Sequence, residues 1–279
     1  MQPMADAFFT PTEDPELFLA TPHTEGPWGA GMQHGGPPSA LLARTVEWVP
    51  SSIPGPSQVS RLAIDILGPV PVAEIRATGS VVRPGRSVEL VEAELRAGGR
   101  TVVRARAWRI RTAALDATAL AAPPKAPAPA PAPAPAPGPA PGPPLGDPTG
   151  RDSPMMRSGF LSAMEWHFLH GSFDATGPAT VWARPRVSLI AGEEATGLQR
   201  LMLLADCGNG LSSMFDFTEW WFINVDLTVH LARLPVGEWM CADAASTLDV
   251  SGVGLAETQL YDAAGRVGRG AQSLMVGRR

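Results

Sequence analysis

The sequence predicts an α+β protein built twice over, with two units in tandem, each an antiparallel sheet wrapped around a central helix. Three observations lead there. A Pro/Ala-rich spacer divides the chain. The same order of elements recurs on either side of it. Each side carries an apolar segment that a sheet can bury on one face.

From Pro123 to Pro144 the chain is almost only Pro, Ala and Gly, and Ala126 to Pro137 alternates Ala and Pro strictly. Such a stretch cannot build a core, and each proline removes a backbone donor. It should act as a semi-rigid polyproline-II tether of roughly 3 Å per residue, about 70 Å if extended. The expected domains are 1–114 and 151–279, with 115–150 as the linker.

The elements repeat in order. His34-Gly35-Gly36-Pro37-Pro38-Ser39-Ala40-Leu41-Leu42 has the glycines and prolines of a helix start. Aligned without gaps, its counterpart is Asp206-Cys207-Gly208-Asn209-Gly210-Leu211-Ser212-Ser213-Met214, with His34 opposite Asp206 and Gly36 opposite Gly208. Upstream, Leu198 to Ala205 is apolar nearly all round, which marks a buried helix or strand. Val70-Pro71-Val72-Ala73-Glu74-Ile75 then matches Leu234-Pro235-Val236-Gly237-Glu238-Trp239. The stretch from Leu90 to Arg100 mirrors that from Leu255 to Arg266 with one residue inserted. Gly98-Gly99 and Asp262-Ala263-Ala264-Gly265 are hairpin turns. Strands close each unit, at Thr101 to Arg111 and Val267 to Val276. Repetition on this scale marks duplication of one structural unit. Two such units can join edge to edge, which removes two exposed sheet edges.

Composition narrows the function. The net charge of −5 disfavours a nucleic-acid footprint, which needs a basic stripe. No apolar run reaches the roughly 18 residues of a membrane span. Met1 to Thr12 carries Asp6 and lacks the basic and apolar regions of a secretory signal, so a cytoplasmic protein is expected. Two cysteines make no disulfide framework, and they and the five histidines show no zinc spacing, so neither metal nor cofactor is expected. No Gly-x-Ser-x-Gly elbow, Walker loop or dinucleotide-binding glycine pattern is present.

Three stretches resemble the tandem-hotdog acyl-CoA thioesterases of the thioesterase II type. The first is Asn224-Val225-Asp226-Leu227-Thr228-Val229-His230-Leu231 with Arg233 and Pro235-Val236-Gly237-Glu238-Trp239. The second is Gly270-Ala271-Gln272-Ser273-Leu274-Met275-Val276, and the third is Ala205-Asp206. Trp28 through His34-Gly35-Gly36 resembles the family's approach to the first helix. The resemblance covers both flanks and not the linker. It implies two hotdog units that hydrolyse an acyl-CoA thioester without a cofactor. In that family an aspartate, a hydroxyl residue and a glutamine share a water. Carried over, these are Asp206 and Gln272, with Asn224 standing at the hydroxyl position. Thr228 follows four residues on. In a strand 224, 226 and 228 all project to one face, so either Asn224 or Thr228 could reach the water.

Asp206 would be the general base, and an aspartate before a helix is also an ordinary N-cap. Backbone amides at Gly208 to Gly210, or at Gly35-Gly36, would hold the developing oxyanion. His34, Gly35, Gly36 and Gly208 are the expected substrate-binding residues, though a lone histidine at a helix start is commonly structural. Asp226 is expected to pair with Arg233 or a backbone amide. Trp220-Trp221-Phe222 suits core packing first, and lining of an acyl tunnel second. Arg44, Arg83 and Arg86 suit phosphate contact or simple solubility. Two alternatives stand beside hydrolysis. One is a non-catalytic acyl-CoA-binding protein, which Asn224 keeps open. The other is an enoyl-thioester hydratase, disfavoured because no histidine follows Asp206 closely. A homo-oligomer is expected.

Overall fold

The computed structural model describes residues 6–27, 29–114 and 159–279. The expected linker (115–150), Met1 to Ala5 and Trp28 lie outside them.

The first unit comprises β1 (Ala7–Pro11), β2 (Leu17–Ala20), α1 (Gly36–Trp48), β3 (Ser57–Ile66), β4 (Glu74–Arg83), β5 (Val88–Ala97) and β6 (Arg100–Arg111). The second comprises α2 (Gly159–Ser162), β7 (Met164–His170), β8 (Ala179–Pro185), β9 (Ser188–Ile190), α3 (Gly197–Ala205), α4 (Gly208–Leu211), β10 (Trp220–Asn224), β11 (Asp226–Leu231), β12 (Met240–Leu248), β13 (Val253–Asp262) and β14 (Gly265–Arg278). From the seam outward the first unit reads β3-β6-β5-β4-β2-β1 and the second β11-β14-β13-β12-β8-β7. The two sheets are therefore copies of one topology. They join through the antiparallel pair β3–β11, with Leu62 opposite Val229 and Ile64 opposite Leu227. The sheet does not close: β9 continues it past β1 as a parallel neighbour. Each half is the expected hotdog, an antiparallel sheet wrapped around a helix.

Alternation decides which face is buried. In β5 every second residue is buried, with Val91, Ala93 and Leu95 facing inward. The helices fill the concavity, and α1 buries Leu41, Leu42 and Val46 completely. The hairpin glycines are required where predicted: Gly98 and Gly99 both have positive φ (54° and 78°), as a type I′ turn demands. The end of α1 is capped across the core by Arg109, whose Nη1 donates to the carbonyls of Val46 (3.4 Å) and Val49 (2.7 Å). Its Nε lies 2.7 Å from the buried Glu89 without the alignment of a hydrogen bond.

One expectation is corrected. The second-half helix does not start after Asp206. It starts at Gly197, with Thr196 as N-cap accepting from the Gln199 amide (3.2 Å), and Asp206 follows its last residue. Glycines at 208 and 210 weaken helix continuation, and only the four-residue α4 follows. His34 precedes its helix while Asp206 ends one, so the ungapped alignment of the two is not a topological equivalence.

Candidate active site

Helices α1 and α3 lie side by side and run in opposite directions. At one end of the pair, Glu47 of α1 accepts from Thr196 Oγ1 (3.0 Å) and Gln199 Nε2 (2.7 Å) at the start of α3. At the other end the first turn of α1 meets the end of α3. There a Cβ on Gly36 would come within 2.6 Å of the Leu203 carbonyl oxygen, and one on Gly35 would fall against the Asp206 carboxylate. Absence of side chains at 35 and 36 is what lets the halves bring Asp206 to the head of α1.

Asp206 is almost wholly buried, at 3% exposure. Burial pushes its carboxyl up to about 7, opposed by a hydrogen bond from Asn224. It is no N-cap. It has helical backbone angles (φ −74°, ψ −11°) at the C-terminal end of α3, where the helix dipole also disfavours a negative charge.

Asn224 reaches Asp206 because the strand is broken. Asn224 pairs with Leu274, and Thr228 with Ala271. One strand thus advances four residues while β14 advances three. Val225 is the extra residue, a bulge that reverses the alternation. Asp226 patches the ladder by accepting the Ser273 amide with its side chain (2.6 Å). Before the bulge Phe222 and Asn224 face the helices; after it Leu227, Val229 and Leu231 do. Asn224 Nδ2 donates to Asp206 Oδ1 (2.9 Å), and its Oδ1 accepts from Asn209 Nδ2 (3.5 Å). Thr228, alternating with Leu227 and Val229, projects from the opposite face. The expectation that 224, 226 and 228 share a face is therefore overturned. Asp226 takes the backbone amide, and Arg233 binds Asp262 instead (2.5 Å).

Gln272 is buried on the helix side of β14. Its Nε2 donates to the Asp206 carbonyl and its Oε1 accepts the Asn209 amide, both at 3.0 Å. These bonds hold the α3–α4 break. They leave Gln272 one hydrogen and one lone pair. Gly208 is packed so closely that a Cβ there would lie 2.7 Å from Gln272 Oε1.

His34 comes from the other half. Its ring stacks on Phe160 with centroids 4.2 Å apart. Nδ1 accepts the Gly36 amide (3.0 Å) and lies 3.5 Å from Asp206 Oδ2. Burial depresses the imidazole to about 3, so it is neutral, and this approach is not an ion pair. With Nδ1 accepting, the ring hydrogen is assigned to Nε2. Pro37 and Pro38 carry no amide hydrogen, so His34 satisfies the first free donor of α1. The amides of Gly36, Asn209 and Gly210 are thus already given to His34, Gln272 and the Asn209 side chain. Of the glycines expected to hold an oxyanion, Gly35 lines the cleft described next and Gly208 does not.

His34, Asp206, Asn209 and Asn224 stand at the floor of a cleft of about 390 Å³ between the halves, and Gln272 lies behind them, outside its lining. His34, Gly35 and Pro38 line it from one side, Asp206, Asn209 and Asn224 from the other, with Leu67 and Val225 at the rim. Its lining is mostly apolar around one group of polar side chains, the usual character of a small-molecule site. Among the described residues, no cluster of three or more His, Cys, Asp or Glu is placed to hold a metal. No helix there is long and apolar enough to cross a membrane.

The family model of the acyl-CoA thioesterase C-terminal domain matches residues 125–276, and that of the N-terminal domain matches 24–110. The chain belongs to the acyl-CoA thioesterase family. It is a thioester hydrolase. Among solved structures, it is similar to a candidate thioesterase II from Thermobifida fusca, 22% identical over 94% of this chain and 93% of that one (TM-score 0.66). A hot dog fold protein of unknown function from Alicyclobacillus acidocaldarius is 16% identical over 99% and 96% (TM-score 0.66). An acyl-CoA thioesterase II from Mycobacterium marinum is 14% identical over 96% of each chain (TM-score 0.62). No curated protein sequence matches significantly.

Of the arginines suited to phosphate contact, Arg86 is exposed, and the other two have partners within the protein. Arg44 is buried, with Nε and Nη2 each 2.7 Å from Glu193 and its guanidinium over Trp48. Arg83 donates to the Val88 carbonyl and lies over Trp108. The aromatic run is packing: Trp220 stacks on Phe215, and Phe222 is buried. Sequence reasoning missed Asn209, which touches both Asn224 and Gln272. Its place between two glycines three residues after Asp206 was the available signal.

Proposed function

We propose that the chain hydrolyses acyl-CoA to a free fatty acid and coenzyme A, with Asp206 as general base. The observation that supports this most is a buried carboxylate raised to about 7, held at Oδ1 by Asn224, at the floor of an apolar cleft. A base poised near neutrality is what water activation needs. Asp206 takes a proton as the water oxygen bonds to the thioester carbon. Collapse of the tetrahedral intermediate then breaks the C–S bond, and the proton passes to the departing sulfur. Asn224 aligns the carboxylate, and Gln272 holds the chain on either side of it. The neutral His34 Nε2–H and the Gly35 amide, both on residues that line the cleft, are the donors for the oxyanion. Thr228 has no part in this scheme.

Thiol release from a panel of acyl-CoAs tests it. Release from wild type that is lost in Asp206→Asn supports the reading. No release from folded protein overturns it. A second reading has one favourable observation: the 3.5 Å approach of His34 to Asp206 supplies the acid–histidine pair a hydratase of this fold uses. Loss of enoyl-CoA absorbance without thiol release would favour that reading. Binding without turnover would favour an acyl-CoA-binding protein. Assembly into a homo-oligomer belongs to the same proposal. It is supported by exposed Val253, Leu255 and Met275 on one face of the second sheet, and sedimentation checks it.

A further inference from the structure

The outer face of the seam carries an arrangement that the hydrolytic site does not use. Register places Trp108, Arg61, His230, Arg269 and Gln259 in one row across β6, β3, β11, β14 and β13. In the middle of it two guanidinium groups flank a histidine, on strands about 4.8 Å apart. Like charges directly opposite one another destabilise a sheet. Proteins commonly relieve such a row with carboxylates, and the neighbouring region does so: Arg104 and Arg106 meet Glu92, and Arg96 meets Glu94. Among the described residues no carboxylate comes within 4.0 Å of Arg61 or Arg269, and the buried Nε of Arg61 has no acceptor at all.

The surroundings suit a small anion. Ala63, Thr228 and Ala271 form the next row, leaving a shallow floor beside the cations. Arg106 borders that floor, 58% exposed at its side chain. The acids on this face stand off. Glu257 lies beyond Ala271, and Asp243 beyond Gln259, where it accepts the Thr180 hydroxyl. Asp65 and Asp226 face each other two rows from the cations, with Asp226 occupied by the Ser273 amide. Both arginines act on His230, whose proton affinity is lowered by partial burial and then by Arg269 and Arg61.

The row also stands at a useful distance. His230 lies five residues along β11 from Val225 at the cleft rim, about 17 Å at strand rise. A long flexible arm leaving the cleft over Val225 would bring a terminal phosphate to this row. Resting on the acyl-CoA reading above, we propose that Arg61 and Arg269, with His230 between them, form a phosphate-binding site that holds the phosphate end of the thioester substrate.

The chemistry recognised is a phosphate ester, and two sources could supply it: the substrate itself, or a phosphate that binds separately. Two measurements on the full chain distinguish them. In the first, Arg61→Gln/Arg269→Gln is compared with wild type on an acyl-CoA and on the corresponding acyl-pantetheine, which lacks phosphate. We expect KM for acyl-CoA to rise at least tenfold with kcat within twofold, and no such rise for acyl-pantetheine. In the second, the His230 imidazole is followed by NMR during titration with coenzyme A, then with inorganic phosphate. Its pKa should rise on binding and stay unmoved in the double variant. A response to inorganic phosphate with no KM difference between the two substrates would overturn the assignment to substrate. No response to either ligand would overturn the site. The NMR arm needs no turnover, so failure of hydrolysis and failure of this site read out separately.

Discussion

Asn224 Nδ2 donates to Asp206 Oδ1 at 2.9 Å, across a bulge that turns one residue of the strand toward the helices. This bond favours the ionised carboxylate, against the burial that raises it to about 7. Replacing Asn224 with Leu removes it, so Asp206 should hold its proton to higher pH. A base works only when ionised. The acidic limb of kcat/KM, near pH 7 in wild type, should move upward, and turnover at pH 7 should fall roughly tenfold. Asn224→Thr, which keeps a donor, should fall less. An unmoved acidic limb in Asn224→Leu would remove this bond from the mechanism.

Asp206→Asn should lower turnover at least a hundredfold by removing the base. Its effect on stability should have the opposite sign. The folded-state carboxyl sits near 7 and the unfolded near 3.8, so the folded state binds more protons between these values. Wild type therefore loses stability as pH rises through that window, with a ceiling of about 4 kcal/mol above it. The variant carries no such loss. It should be more stable than wild type in urea at pH 8, with the difference closing toward pH 4. A variant that is less stable at pH 8 would contradict the raised carboxyl.

His34 contributes with the reverse sign. Its folded imidazole is depressed to about 3, so the unfolded chain binds the proton first. Stability from keeping it neutral is present above about 6.5 and is lost as pH falls below that. His34→Gln should flatten the acid side of the stability profile, measured by urea melts from pH 7 to 4. An unchanged profile would show that the ring is not buried neutral.

Gly35→Ala would place a methyl against the Asp206 carboxylate. Thiol release should fall at least tenfold while far-ultraviolet dichroism is unchanged. Gly29→Ala, whose methyl would meet only Met32 Cγ at 3.8 Å, serves as the matched control and should retain wild-type rate. Equal rates in the two variants would mean that contact at Gly35 does not position Asp206.

Arg44 ties the halves together, with its guanidinium on Glu193 and over Trp48. Arg44→Met should cost about 1–3 kcal/mol in urea unfolding, below the cost of a fully buried pair because Glu193 is 33% exposed and can be rehydrated. No loss would show that the pair contributes nothing between the halves.

Much of this protein was written locally. Paired glycines at 98 and 99, a proline-marked helix start at 37, and strands alternating every second residue report on near neighbours. They predicted the duplicated hairpins, the helix α1 and the edge-to-edge joining of two sheets. The residue types of the site, Asp206, Gln272 and Asn224, were legible through family resemblance.

Three decisions belonged to tertiary structure alone. Whether Asn224 or Thr228 faces Asp206 depended on the bulge at Val225, which arises from pairing with β14 and leaves no mark on the periodicity of one strand. The true start of the second helix was hidden because Leu198 to Ala205 is apolar nearly all round, and such a segment reads equally as helix or strand until it has neighbours. His34 and Asp206, far apart in sequence, meet only because α1 and α3 pack in opposite directions. The sequence by itself determined the two units, which short-range pattern sets, while the chemistry-bearing residue types were legible in it only through resemblance to a family. Which of those residues touch, and the burial that raises Asp206, came from the docking of one half on the other.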